Sequence, residues 1–441
     1  MSDSAGPDER IKPLYWRALA VFCAIGMLNQ IDRTLLASAM PAIKGEFHLS
    51  DTAIGWFSMS FAVIYALGGI PTARIADSFS RKKVVVAMAT LWSLFTALCG
   101  LANSYMLLLL SRLGVAYGEA GSYPAIYSSL SDMFPPRKRA IASSGIIACS
   151  SAGVMVGLAL GGWLTAHYGW RAAFIYVGLG GLIVAAVAYL LIPEPERGVF
   201  DKGSSLDASA EYGWWAGFRI LFANRIFVWS ILTTGFFGFS QGMVQWLPSF
   251  FQRTHHMELS HVGLILGPAF GMGLVLGTIV SGILSPRLSR KRVYDSLWLI
   301  IIANVLLIPT FIIVLVAPDD TIAIGATLVM SFVGALGGPP LTAAVQNSVP
   351  QRLRAMAHAV FTLFLGIFSY GLAPLIVGAL SDFYAKTYGV AEGLRYALIT
   401  SALMFVAALV FAILAFRAGR RALREQAAAS GAAAGLAAAS A

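Results

Sequence analysis

Apolar residues in this chain come in blocks of about twenty, the length a helix needs to cross a hydrocarbon layer roughly 30 Å thick. The blocks fall at approximately 18–41, 53–73, 84–102, 105–128, 140–164 and 171–193. After a longer polar interval they resume at 225–250, 260–284, 295–316, 322–345, 355–381 and 396–416. The period-two alternation that an outer-membrane barrel strand requires is missing from them. The pattern predicts an all-α membrane protein with twelve transmembrane helices. Its organisation reads as a cytoplasmic N-terminus (1–17), a six-helix bundle (18–193), a cytoplasmic linker (194–224), a second six-helix bundle (225–416) and a disordered cytoplasmic tail (417–441) of Ala, Ser and Gly.

Composition agrees with lipid as the main solvent: 58% of the 441 residues are apolar and 12% are charged, about half the charged share of a soluble domain. The net charge of +10 reads as the Lys/Arg excess of cytoplasmic loops, not as a nucleic-acid surface. With both termini on one side, that side holds about 23 of the 31 Lys and Arg and the other about five, so both termini are expected in the cytoplasm of a multi-pass protein of the cell (inner) membrane. No cleavable signal precedes the first block. Cys23, Cys99 and Cys149 all lie in apolar blocks and read as packing thiols.

The two halves echo each other. Ser80-Arg81-Lys82-Lys83 follows the second block and Ser289-Arg290-Lys291-Arg292 the eighth. Pro135-Pro136-Arg137-Lys138-Arg139-Ala140 precedes the fifth and Pro350-Gln351-Arg352-Leu353-Arg354-Ala355 the eleventh. Matches at nearly one offset in equivalent loops argue for two like-oriented repeats, the layout of alternating access around a midplane site.

Asp32, Arg33, Arg112 and Glu119 lie well inside apolar blocks. Each costs roughly 2.5–3.5 kcal/mol at mid-bilayer even on a lenient scale, so the four imply mutual pairing in a polar cavity. At about 1.5 Å per residue, Asp32 on the first helix and Arg112 on the fourth reach one level, and Glu119 stands lower as a separate station. Asp32 and Arg33 diverge around their helix. Asp32 and Glu119 are the expected proton-coupling groups, with Glu119 the better site of protonation and Asp32 the ion-pair switch. Arg33 and Arg112 are the expected head-group binders. In the second half, Gln241 and Gln245 share a helical face and, with Trp246, either line the cavity or pack. Gly337-Gly338-Pro339-Pro340 interrupts the tenth helix, and Gly153, Gly157 and Gly161 allow close helix packing. His255, His256 and His261 form no recognisable metal motif. No nucleophile–base pair or phosphate loop argues for an enzyme, and no cofactor is expected beyond a coupling proton. The expected partners are a small-molecule or lipid substrate and membrane lipids, with no nucleic acid, and the unit is expected to work as a monomer.

The stretch Ala73-Arg74-Ile75-Ala76-Asp77-Ser78-Phe79-Ser80-Arg81-Lys82 resembles the loop signature of the major facilitator superfamily, with two glycines replaced by Ala73 and Ser80 and a basic position by Ser78. Asp32-Arg33, Arg112-Leu113-Gly114-Val115-Ala116-Tyr117-Gly118-Glu119-Ala120, Phe79-Ser80-Arg81-Lys82 and Gly393-Leu394-Arg395-Tyr396-Ala397 resemble spinster-type transporters within it. The anion:cation symporters of sugar acids share a similar Asp-Arg and Glu-Ala-Gly-x-x-Pro, here Glu119 to Pro124. The spinster resemblance implies a proton-coupled exporter of a lysophospholipid or similar amphiphile. The symporter resemblance implies proton-driven movement of an organic anion. A non-transporting receptor or scaffold is the reading from another class. The superfamily resemblance also implies a cytoplasmic gate built from Asp77 and Arg81, the acidic residue meeting the N-terminus of the eleventh helix, with Arg137 and Arg139 joining.

Overall fold

The computed structural model describes residues 12–194, 214–290, 292–350 and 353–439, and helices are the only regular structure among them. The first four spans are Pro13–Phe47, Asp51–Ser78, Arg81–Gly100 and Tyr105–Met133. The fifth and sixth form one helical run, Pro136–Leu191, broken at Gly169 (φ 80°, ψ 158°). The seventh comprises Arg225–Met243, a 3-10 turn at Val244–Trp246, and Leu247–Thr254. The eighth and ninth are Leu259–Ser289 and Leu297–Val316. The tenth is divided into Asp320–Ala335 and Gly338–Asn347. The eleventh runs through Arg354–Gly366, a π-helical turn at Ile367–Leu372, and the first part of Ala373–Ser401. That last run breaks at Gly389 (φ 82°, ψ 168°), after which the twelfth span follows and ends in Leu403–Ala439.

Five spans begin where a polar side chain satisfies the first free N–H groups. Ser50, Ser80 and Ser104 accept from Ala53, Lys83 and Leu107 at 3.0, 3.2 and 3.3 Å. Asn224 accepts from Ile226 and Phe227, and Asp319 from Thr321 and Ile322. Such caps are worth about 1 kcal/mol each. In the two broken runs the positive φ does the turning, a conformation that L side chains rarely adopt. Tyr-Gly stands at both breaks, 168–169 and 388–389, so the repeat extends to the connections between spans five and six and eleven and twelve.

Two expectations change. The last helix does not stop at 416: it continues to Ala439, so residues 417–439 are helical and not disordered. Alanine is the strongest helix former, and an Ala-rich run follows a helix already nucleated. Arg420 also ties this extension to Asp295 at 3.1 Å. Part of the linker is helical too: Trp214–Ala223 turns by 89° into the seventh span and leaves Trp215 and Phe222 exposed. Residues 195–213 lie outside the described residues.

The end of the bundle where Trp16 packs on Phe134 at 5.3 Å is called proximal here; it holds the start of the first span and the end of the fourth. The opposite end is distal. The two halves meet along their distal portions. A Cβ on Gly55 of the second span would lie 2.5 Å from Leu375 Cα of the eleventh, and one on Gly378 would lie 2.2 Å from the Asp51 carbonyl oxygen. The eighth span presses Gly263, Gly267 and Gly271 on Leu158, Met155 and Ala159 of the fifth. Within the first half, Gly153, Gly157 and Gly161 seat the fifth span on Met27, Ile31 and Leu35 of the first, as their spacing predicts.

Candidate functional site

The four intramembrane charges form two ion pairs. Asp32 is 1% exposed. Its Oδ2 accepts from Arg112 at 2.7 Å and its Oδ1 from the Thr96 hydroxyl at 2.9 Å, so one carboxylate ties the first, third and fourth spans. This is the pairing that the depth count predicts. The second pair departs from it. Glu119, fully buried, does not stand apart but accepts from Arg33 Nε at 2.8 Å and lies 2.7 Å from a terminal guanidinium nitrogen. Helix rotation decides this: Arg33, about 100° around the first helix from Asp32, reaches down to the carboxylate one level below.

Both arginines are therefore held by carboxylates, and they differ in access. The Arg112 side chain is 2% exposed and that of Arg33 13%. Arg33 is enclosed by aromatic faces, Tyr65 at 4.7 Å and Tyr370 at 4.6 Å, with Phe61 at 5.6 Å. Phe61 also sits 5.1 Å from the Arg112 guanidinium. Glu119 Oε1 and Arg112 Nε make no hydrogen bond among the described residues.

The glutamines do not share a face. Gln245 lies inside the 3-10 turn at Val244–Trp246, which takes it out of the α-helical register that the expectation relied on. Gln245 donates to Ser58 Oγ of the second span at 2.8 Å, across the halves, whereas Gln241 points its amide toward Gly334 on the tenth. Trp246 is 1% exposed and packs against Gly378. It is a core residue at the distal contact, not a cavity wall. A cavity of about 580 Å³ at the proximal end of the second half, lined by Arg225, Tyr294, Asn347 and Arg421, contains none of the predicted residues.

Sequence reasoning gave no role to a second charged cluster at the distal end. Asp51, 2% exposed, accepts two bonds from Arg253 (2.7 and 2.8 Å), one from Ser381 (2.7 Å), and pairs with Lys44. Asp382 accepts from the backbone N–H groups of Asp51 and Thr52 at 3.0 and 2.7 Å and from the Thr52 hydroxyl. Lys44, Asp51 and Thr52 belong to the first half, and Arg253, Ser381 and Asp382 to the second.

A chain of two sets of spans that meet at their distal ends, with buried ion pairs in the first, matches a known sequence family. The sequence model described as Major Facilitator Superfamily matches residues 22–374. The chain belongs to the Major Facilitator Superfamily. It is a multi-pass transporter, not an enzyme. It is 31% identical over 417 residues to an MFS-type efflux pump of Mycolicibacterium smegmatis, covering 93% of this chain and 95% of that one. It is 26% identical over 396 residues to a probable L-galactonate transporter of Escherichia coli, covering 85% of each. Among solved structures it resembles a bacterial homologue of the human lysosomal transporter Spinster in an inward-facing, unoccupied conformation. There the TM-score is 0.85 and the identity 26%, over 93% of this chain and 98% of that one. Both resemblances read from the motifs, spinster-type and sugar-acid, are thus represented.

In this superfamily member the loop signature sits at the proximal end. Arg81 pairs with Asp132 and donates to the Ser128 carbonyl at 3.1 Å, and its backbone N–H donates to Glu194. Arg139 donates to the carbonyls of Phe134 (3.0 Å) and Ser131 (2.7 Å). Both guanidiniums thereby fasten the end of the fourth span, the helix that carries Arg112 and Glu119. The side chains of Asp77 and Arg137 lie outside the described residues. Asp132 was not singled out from the sequence, because a carboxylate at a span end looks like any loop charge.

Proposed function

We propose that this transporter couples protons to the movement of an amphiphile with an anionic or zwitterionic head and an alkyl tail, of which a lysophospholipid is the type. The observation that carries the reading is the Arg33–Glu119 pair, with one buried carboxylate oxygen lacking a donor. A buried carboxylate oxygen without a partner is costly, and a proton placed on it removes the charge that makes its burial most unfavourable. Protonated Glu119 no longer needs Arg33, and the guanidinium becomes available to a phosphate or carboxylate head. Proton and anion then bind together and share a passage, so the direction of net transport follows the proton gradient. Export of the lipid, as the spinster resemblance implies, is then movement with the proton out of the more acidic compartment. Asp32 and Arg112, drier and tied to three spans, form the ion-pair switch of the cycle. Arg33 takes precedence over Arg112 as the head-group contact because of its access.

Support for an alkyl tail comes from the aromatic and aliphatic surroundings: burial of a tail contributes about 0.8 kcal/mol per methylene. The second reading, an organic anion such as a sugar acid, is favoured by the probable L-galactonate transporter among the relatives. In either case the orientation is termini inside, in the cell membrane, with a monomer as the working unit.

Purified protein in proteoliposomes, with acid imposed inside or outside, tests this. A lysophosphatidylglycerol series should be moved toward the side receiving protons, with affinity rising with tail length. Glu119→Gln should abolish the gradient response while retaining binding, and Arg33→Gln should weaken every member similarly. Indifference to tail length with displacement by galactonate would establish the second reading. A full gradient response in Glu119→Gln would remove proton coupling at this site.

A further inference from the structure

Among the described residues, one side chain of the second half packs on the two ion pairs: Tyr370, whose ring centroid lies 4.6 Å from the Arg33 guanidinium carbon. It stands in the π-helical turn Ile367–Leu372. A π turn adds a residue to the helical repeat and re-aims the side chains on it, and such turns occur frequently at functional sites. Here successive residues of the turn face different halves. Phe368 packs on Phe236 of its own half at 5.4 Å. Gly371 lies on the second span, where a Cβ would come within 2.7 Å of Met59 Sδ and 3.1 Å of Ala62. That close approach brings Tyr370 across the boundary to Arg33.

The guanidinium is thus held between two rings with different allegiances. Tyr65 belongs to the first half and moves with Arg33. Tyr370 belongs to the second half and moves away from it when the halves rock. We infer that Tyr370 is a positioning residue that reports the arrangement of the second half to the Arg33–Glu119 pair. While the distal ends touch, its ring keeps the guanidinium on Glu119. When they part, one face of Arg33 is uncovered and the pair loosens. A desolvated cation–ring contact is strong enough to bias such an exchange without locking it. The inference rests on the proposed coupling role of Glu119. The titratable and charged groups around the Arg33–Glu119 pair are Arg112 and Tyr123 from the fourth span, Tyr65 from the second, Asp32 on the first, and Tyr370.

The test needs no substrate. Leu158, 5% exposed at the distal contact between the fifth and eighth spans, is replaced by Cys in the full chain lacking its native cysteines. Its labelling by a water-soluble maleimide is followed across pH in proteoliposomes, and the rate at each pH is divided by that of the same thiol in denatured protein, which removes the thiolate's own pH dependence. With one linked proton the labelling rate changes by at most roughly tenfold per pH unit. Tyr370→Phe, which keeps the ring face, should retain that profile. Tyr370→Leu should flatten it to within about twofold over the same range, while still labelling and still melting cooperatively. Glu119→Gln is measured alongside. A pH profile that survives Glu119→Gln refutes the coupling reading itself. A profile that is lost in Glu119→Gln but kept in Tyr370→Leu refutes only the role of Tyr370. A profile lost equally in Tyr370→Phe and Tyr370→Leu overturns the ring-face contact, as does loss of cooperative melting in Tyr370→Leu, which would make the residue a packing requirement.

Discussion

Asp382 accepts both the backbone N–H and the hydroxyl of Thr52 across the boundary between the two halves, at 2.7 and 2.6 Å. The carboxylate lies at the N-terminus of the second span, where the helix dipole favours negative charge, and it caps a helix of the other half. A cap of this kind exists only while the distal ends are together. Hydrogen bonds to charged groups contribute about 1.5–3 kcal/mol, so Asp382→Asn should shift the equilibrium toward a distally open state by on the order of tenfold. Maleimide labelling of Leu158→Cys should quicken accordingly. An unchanged rate would show that Asp382 does not hold the distal end closed.

The Asp32–Arg112 pair is the driest among the described residues, and removal of one partner from a buried pair costs about 3–5 kcal/mol. Arg112→Gln should therefore lower the melting temperature in detergent sharply. The double variant Asp32→Asn/Arg112→Gln should recover most of that loss, because no charge is left without a partner, yet remain inactive in gradient-driven transport. If the double variant melts no higher than the single one, packing and not charge sets the cost.

Glycines at the two kinds of interface should respond differently. Gly55 meets the second half, and a Cβ on Gly157 would lie 2.7 Å from Ile31 Cα inside the first half. Overpacking costs about 1–3 kcal/mol. In Gly157→Ala that cost falls on every state of the bundle and should appear as a lower melting temperature. In Gly55→Ala it falls only on the distally closed state, so melting should change little while Leu158→Cys labelling rises several-fold. Equal melting losses in both would contradict the distinction.

The orientation is open to direct measurement. Single cysteines at Ser204 and at Asp319, the exposed cap of the tenth span, should react with an impermeant thiol reagent from opposite sides of intact cells, the second from outside. Reaction of both from one side would overturn the placement of the termini.

The spans and the buried charges are legible in the sequence because charge inside an apolar run is expensive and conspicuous, and because rise per residue gives depth. That is why Asp32 and Arg112 pair as counted. Rotation about the helix axis is not legible, since it depends on packing against neighbours. The Arg33–Glu119 contact follows from it and was missed as a pair. Nor do Phe61, Tyr65 and Tyr370 stand out among 27 Phe and 15 Tyr, since an aromatic side chain is at home in lipid, core or site alike. Asp51 and Asp382 lie at span ends, where a charge costs little and resembles a loop residue. The shared face of Gln241 and Gln245 presumes an uninterrupted α-helix, and no local signal announces the 3-10 turn that ends it.

The glycine breaks at 169 and 389 join two spans each with no intervening loop. Just beyond the first, Trp170 and Arg171 are stapled to Glu46 at 2.8 and 2.6 Å, and Arg171 also to the Ala102 carbonyl at 3.0 Å. A joint this short has no slack in which to absorb a displacement. Force applied to the fifth span is delivered to the sixth, and likewise from the eleventh to the twelfth. Each joined pair of spans then acts as one stiff lever, and the compliance of the transport cycle has to reside where one lever bears on the other.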